Sequence, residues 1–275
     1  MDINRRLGPT LTDDAFSAAL EARVVTEDKA LDAVADAMQN GDSTVALTGA
    51  GVSTASGIPS FRGDDGVWDQ FDPMAFHRRR LDADPAGFWL DRLDLRRELY
   101  ADLDPVPNAA HEALVDLESR GLLDAVVTQN VDGLHHTAGA DRVVELHGTN
   151  QRVRCDDCGD RVSADEIFDR AADGDLPPRC DCGGVFRPDV VLFGESLPDE
   201  AMDVAQRLAR ESDVFLALGS SLSVRPASLL PQIATRAGST LVVVNFDPTP
   251  RDGEAAYVVR EDVTTVLPAL VSRVR

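Results

Sequence analysis

The sequence predicts an α/β fold, a Rossmann-like parallel-sheet domain carrying a small inserted zinc-binding domain. Three observations carry this expectation. Short apolar runs alternate with amphipathic stretches along most of the chain, the pattern of parallel strands joined by covering helices. A glycine-rich turn, Gly49-Ala50-Gly51, directly follows the first apolar run, where such sheets place a pyrophosphate-binding turn. All four cysteines fall within 150–187, a polar stretch that interrupts the alternation.

At 275 residues and 43% hydrophobic content, the chain has enough material for one domain with an insert or two close domains. No run approaches the roughly 18 apolar residues of a membrane span. The N-terminus, MDINRRLGPTLTDDAF, lacks the apolar core of a signal peptide, so the expected location is the cytoplasm. A formal net charge of −21 argues against direct nucleic-acid binding, since no basic surface is available to displace counterions. Lys29 is the only lysine. Acid excess with lysine depletion is the composition expected of a high-salt cytoplasm, where a Debye length of about 3 Å at molar salt screens self-repulsion. The alternative is an ordinary acidic protein whose charge keeps it soluble.

Taken in order, 1–26 form an irregular or partly helical extension broken by RRLGPTL. Residues 27–40 place Ala30, Leu31, Val34, Ala35 and Met38 at helical spacing, and Gly41 ends that helix. Val45 to Thr48 form the first strand. Residues 62–107 are mixed, with helix around 85–101 and prolines at 73, 85, 105 and 107. A helix at 108–120 precedes strands at 124–128 and 143–146. After the cysteine-bearing stretch, the pattern predicts strand 190–193, helix 198–211, strand 213–218, helix 226–237 and strand 241–245. A short strand near 257–259 and a terminal helix follow. The implied division is an extension at 1–26, a catalytic domain at 27–149 and 188–275, and an insert at 150–187.

Gly49 and Gly51 let backbone approach phosphates closely, yet Thr54 stands where a dehydrogenase fingerprint has its third glycine. No acid-tipped strand follows roughly 20 residues later either, which disfavours hydride transfer. Asn130 and Asp132 sit just beyond the apolar run Ala125-Val126-Val127, and His147 just beyond Val143-Val144. Open α/β sheets bind ligands at such carboxyl ends. Histidine suits a base near neutrality, although His77, His111, His135 and His136 have similar raw credentials. The cysteine pairs 155/158 and 180/182 suggest metal rather than disulfides in an intracellular chain, with redox chemistry as the alternative. Cys155, Cys158, Cys180 and Cys182 would close a tetrahedral, structural zinc site with no open position.

Several longer words add a resemblance. GAGVSTASGIPSFRG at 49–63, TQNVDGLHHTAG at 128–139, LHGT at 146–149, FRPDVVLFGE at 186–195, GSSLSVRP at 219–226 and VVVNFDPTP at 242–250 together resemble the sirtuin family of NAD-dependent protein deacylases. The likeness covers about 28–270. It implies cleavage of the nicotinamide–ribose bond, with the acyl oxygen of a modified lysine attacking the ribose. His147 is then the base, Asn130 and Asp132 hold nicotinamide, and Gln129 binds ribose hydroxyls. The same resemblance gives NAD contacts to Gly49, Ala50, Gly51, Ser53, Ile58, Phe61, Arg62, Gly219, Ser220, Ser221, Asn245 and Val263. It places acyl-lysine protein substrates between the domains, along FGE at 193–195. Sirtuins that prefer acidic acyl groups carry a Tyr-x-x-Arg pair. Here Arg96 has Leu93 at the tyrosine position, so acetyl-lysine is expected first. The second cysteine pair, Cys180-Asp181-Cys182, is one residue shorter than the family's usual Cys-x-x-Cys. The expected protein is a monomer. Protein ADP-ribosyl transfer and a catalytically weak NAD-sensing scaffold are the alternatives.

Overall fold

The structure, a computed structural model, describes residues 27–60, 66–100 and 103–274. The predicted N-terminal extension and the expected NAD contacts Phe61 and Arg62 lie outside the described residues. The chain begins with α1 (Glu27–Asn40) and β1 (Thr44–Thr48), then α2 (Val67–Gln70), α3 (Arg78–Ala83), α4 (Pro85–Tyr100) and α5 (Ala109–Ser119). Next come β2 (Ala125–Thr128), α6 (Leu134–Ala138), β3 (Val143–Glu145), β4 (Gly148–Cys155), β5 (Arg161–Ser163), α7 (Ala164–Ala172) and β6 (Phe186–Val190). The alternation resumes with α8 (Asp199–Glu211), β7 (Val214–Leu218), α9 (Leu230–Ala237), β8 (Thr240–Val244), β9 (Tyr257–Val259) and α10 (Val263–Val271).

Six strands form an all-parallel sheet in the order β3-β2-β1-β7-β8-β9. The central strands are short apolar runs buried along their whole length, as a sheet covered on both faces requires. Alternation sorts their side chains into two cores. Ala46, Val126, Leu216 and Val242 pack with Leu31, Leu114 and Leu267 of α1, α5 and α10. Val45, Val127, Phe215 and Val243 face Ala205 and Ala234 of α8 and α9. Strand order reverses between β1 and β7, so the crevice beyond their carboxyl ends is the topological switch point.

The second sheet is antiparallel, in the order β5-β4-β6. The strand expected at 190–193 lies instead at 186–190 and pairs with β4. The apolar run VVLF drew the sequence reading past FRPDV, a strand that buries Phe186 and Arg187. The core of this smaller sheet also draws on α4, which contributes Phe88 and Trp89 beside Val153, Ile167, Phe168 and Phe186. Trp89 Nε1 donates to Phe186 O at 2.8 Å. The helix expected at 226–237 opens as a tight turn at Ala227–Leu229 and becomes α-helical at Leu230, because Pro231 suits only the first turn. No helix among the described residues is long and apolar enough to cross a membrane.

Candidate functional site

The turns after β1 and β7 meet backbone to backbone across the switch point. Gly51 N donates to Gly219 O at 2.9 Å, and Gly49 N to Leu218 O at 3.1 Å. Gly219 has φ +55°, and a Cβ there would lie 2.6 Å from Val52 N. Only glycine combines that conformation with that approach.

Beyond β2 the chain delivers Gln129, Asn130 and Asp132 to the same place. Asn130 is buried. Its Nδ2 donates to Gly49 O (3.1 Å) and Ser53 Oγ (3.0 Å). Ser53 Oγ donates onward to Asp132 Oδ2 at 2.8 Å, and Leu134 N donates to Asp132 Oδ1 at 2.9 Å. With both Asn130 amide hydrogens committed, the group it turns outward is the Oδ1 acceptor. The amide orientation follows from this network.

β3 ends just before His147. Its Nδ1 lies 2.9 Å from Gln129 O. A carbonyl only accepts, so Nδ1 carries the proton and Nε2 is the basic nitrogen. Gln129 Nε2 donates to Ser220 Oγ at 2.9 Å, tying this loop to the one after β7. The rival histidines have other work. His111 and His135 are buried, with rings 4.9 Å apart. His111 caps α5, accepting from Asn108 N at 3.3 Å. His135 Nε2 meets Thr48 Oγ1 at 2.9 Å. Burial, reinforced by His111 and His136, pushes the His135 imidazole down to about 3, and burial also lowers His111. His77 caps α3, accepting from Arg79 N, and His136 is exposed beside Glu145.

One cleft of about 1520 Å³ collects most of the expected residues: Gly49, Ala50, Gly51, Gln129, Asn130, Asp132, His147, Gly219, Ser220, Ser221, Asn245 and Val263. Ser53 and Ile58 are buried and do not line it; Ser53 stands behind the wall, holding Asp132. The volume exceeds the roughly 300–1,000 Å³ of a small-ligand pocket, as an open cleft for a large ligand would. The far wall is formed by Val190 to Glu195, Leu93 and Arg96. Arg96 donates to Asp165 at 2.7 Å and stacks 4.5 Å over Phe168.

The four cysteines converge at the end of the small sheet, their Sγ atoms all within 4.8 Å of one another. Cys155 and Cys182 are 3.5 Å apart, and Cys158 and Cys180 are 3.7 Å apart. A zinc–sulfur bond of about 2.3 Å sets tetrahedral sulfur edges near 3.8 Å, so the shortened pair still fits the ion.

The sequence reading missed Asn108, whose Nδ2 donates to Val52 O and Ser56 Oγ at 2.9 Å and so braces the glycine-rich turn. Its position before the α5 pattern was a capping signal. Gln151, which donates to Asp132 O at 2.8 Å, left no signal in the sequence.

A parallel sheet with a ligand cleft at its switch point, faced by a cysteine-bearing second sheet, defines a nucleotide-binding α/β protein with a structural metal site. The profile described as Sir2 family matches residues 49–226, and the chain belongs to that family. It is 71% identical over 244 residues to an NAD-dependent protein deacetylase of Haloarcula marismortui, covering 88% of this chain and 94% of that protein. It is also similar to a solved Sir2 complex with deacetylated p53 peptide and 3′-O-acetyl ADP-ribose, with TM-score 0.80 and 36% identity over 86% of this chain and 96% of that one. A Sir2 complex with p53 peptide and NAD⁺ superposes with TM-score 0.77 and 36% identity, covering 86% and 95%.

Proposed function

We propose that this chain is an NAD-dependent protein-lysine deacylase, a deacetylase first of all, releasing nicotinamide and O-acyl-ADP-ribose. The observation that carries the reading is His147, whose Nδ1 is fixed on Gln129 O so that Nε2 serves as base in the cleft holding Asn130 and Asp132. The names of its relatives agree.

NAD supplies the ribose carbon that is attacked and the nicotinamide that leaves. The protein supplies position and proton handling. The two glycine turns present backbone to the phosphates, and Ser220, Ser221 and Asn245 offer polar groups along the nucleotide. Asn130 Oδ1 and the Asp132 carboxylate are acceptors for the carboxamide N–H groups, and Ser53 fixes them relative to each other. Once the acyl oxygen has displaced nicotinamide at the ribose, His147 Nε2 would take a proton from a neighbouring ribose hydroxyl, whose oxygen then bonds the acyl carbon. Water and loss of the lysine amine complete transfer of the acyl group to the ribose. Val190 to Glu195 form the edge along which the acyl-lysine segment lies. Arg96 is engaged with Asp165 and Phe168, which favours short apolar acyl groups over acidic ones. Cys155, Cys158, Cys180 and Cys182 hold one zinc, whose role is structural.

The same reading divides the chain into a catalytic domain at 27–149 and 188–275 and an insert at 150–187. It also takes the protein as a cytoplasmic monomer that does not bind nucleic acid directly. The net charge of −21 with one lysine supports a high-salt interior. Incubating the full chain with NAD and an acetyl-lysine peptide tests the activity. Nicotinamide and O-acetyl-ADP-ribose should appear in equal amounts, and a succinyl-lysine peptide should react more slowly. Nicotinamide release with ADP-ribose retained on protein would overturn the reading in favour of ADP-ribosyl transfer.

A further inference from the structure

Between the cysteine cluster and the cleft wall lies a group of four charged side chains that the chemistry above leaves unused. Arg187 on β6 has a fully buried side chain. Its guanidinium donates to Glu195 Oε1 at 2.5 Å and Oε2 at 2.8 Å, and to Val190 O at 2.6 Å. Glu195 Oε2 also accepts from Leu192 N at 2.9 Å, which folds 192–195 back on itself. Arg78, opening α3, lies 2.8 Å from Asp156 and 3.5 Å from Glu195, and its backbone N donates to Phe193 O at 2.9 Å. Asp156 immediately follows Cys155, and its Oδ1 is 3.8 Å from Arg187.

The four charges alternate, and Arg78 also bonds a further acid, Asp82 of its own helix, at 2.8 Å. A buried guanidinium is tolerated only when paired, and here each cation reaches Asp156 from the cysteine turn and Glu195 from the cleft wall. Burial alone would raise the Glu195 carboxyl, but Arg187, the Leu192 amide and Arg78 outweigh it and hold the group below the usual range. It therefore stays an anion. Val190, Leu192, Phe193 and Glu195, which this box fixes, line the cleft. The expected NAD contacts Gly49, Asn130, Gly219 and Asn245 follow β1, β2, β7 and β8, whereas the hydrogen bonds and ion pairs of these four side chains go to one another, to 188–192 and to α3.

We propose that Asp156, Arg78, Arg187 and Glu195 are positioning residues that register the substrate edge at 190–195 against the metal-held cysteine turn, so that the metal site sets affinity for the acyl-lysine segment and not for NAD. The proposal rests on the deacylase reading in one respect, that the 190–195 edge receives the peptide. A displaced cysteine turn would shift Asp156, leave buried Arg187 with Glu195 alone and Arg78 with Asp82 and Glu195, and so loosen the fold of 192–195.

The test measures direct binding of an acetyl-lysine peptide and, separately, of NAD, with metal content determined on the same samples. Wild-type protein should bind both. Glu195→Gln and Asp156→Asn should each retain one metal and bind NAD as wild type does, while peptide affinity falls roughly 2- to 30-fold, the span of coupling through packed networks. The double variant should lose less than the product of the two single losses, since both substitutions break one network. Removing the metal from wild type with a chelator should weaken peptide binding and spare NAD binding. Arg187→Met risks misfolding by stranding Glu195, and the partly exposed Asp156 provides the variant that avoids this. Peptide affinity unchanged in both single variants overturns the proposal, as does equal loss of NAD and peptide affinity. Wild-type protein that binds NAD but no acetyl-lysine peptide would instead sink the deacylase reading along with it.

Discussion

The two sheets of this molecule build their functional parts by different means. In the large sheet, the ligand loops are set by apolar strands buried on both faces, and the turns after β1 and β7 interlock through glycine backbone. Polar groups there are mostly backbone, hydroxyl and amide, with Asp132, Arg225, Asp247 and Glu261 as charged members of the cleft lining. The small sheet has three strands, buries an arginine, and places four cysteines and a box of charges at its end. The first half can hold its geometry by packing alone. The second has a smaller buried core and adds ligation and paired charge to it.

The largest expected effect separates the halves outright. Cys155→Ala, or chelation of wild type, should remove the metal and unfold the small sheet, because structural zinc contributes on the order of 10–16 kcal/mol in isolated finger peptides. Trp89 is buried in that core, so its emission should shift red at low denaturant while the large-sheet transition persists. A single unchanged transition in the metal-free protein would erase the contrast.

Acid should act next, and on the large-sheet half. His111 and His135 are held neutral by burial, so their folded values lie below the unfolded value of about 6.5. Their contribution is complete above pH 6.5 and is lost as pH falls toward about 3 for His135. The unfolded chain binds more protons in this window, so His135 should cost up to about 1.4 kcal/mol per pH unit below pH 6.5, and His111 adds in the same direction. Urea unfolding followed between pH 7 and 5 checks the slope, and His135→Gln should flatten it. An equal slope in that variant would show that His135 is not the source.

Gly219→Ala should cost at least about 1–3 kcal/mol for the strained φ, together with a steric conflict at Val52 N. NAD affinity should fall while the metal stays bound. Calorimetry with NAD and metal analysis on the same sample check this, and intact NAD affinity would mean that the two turns need not interlock.

The same contrast explains what the sequence disclosed. β1, β7 and β8 were legible because a doubly covered parallel strand is a continuous β-branched or aliphatic run. β6 was displaced by several residues because its register is set by pairing with β4, which no local pattern encodes, and because Arg187 and Pro188 look like surface residues until Glu195 and Asp156 are seen beside them. By residue type alone, His147 could not be told from the other four histidines. His147 stood out through the LHGT word, and the physical reason appears only in three dimensions, where Gln129 O holds its Nδ1. Ser53 was expected against the nucleotide, yet its hydroxyl is spent between Asn130 and Asp132. Asp156 and Arg78 carried no signal, since salt-bridge partners far apart in sequence leave none.

The most direct test of the account is His147→Ala assayed with NAD and an acetyl-lysine peptide, alongside NAD binding by calorimetry and the metal content. The account predicts unchanged NAD affinity, one bound metal, and turnover reduced roughly 10²–10⁴-fold, the usual loss when a general base is removed. Turnover equal to wild type in a folded, metal-loaded variant would contradict it.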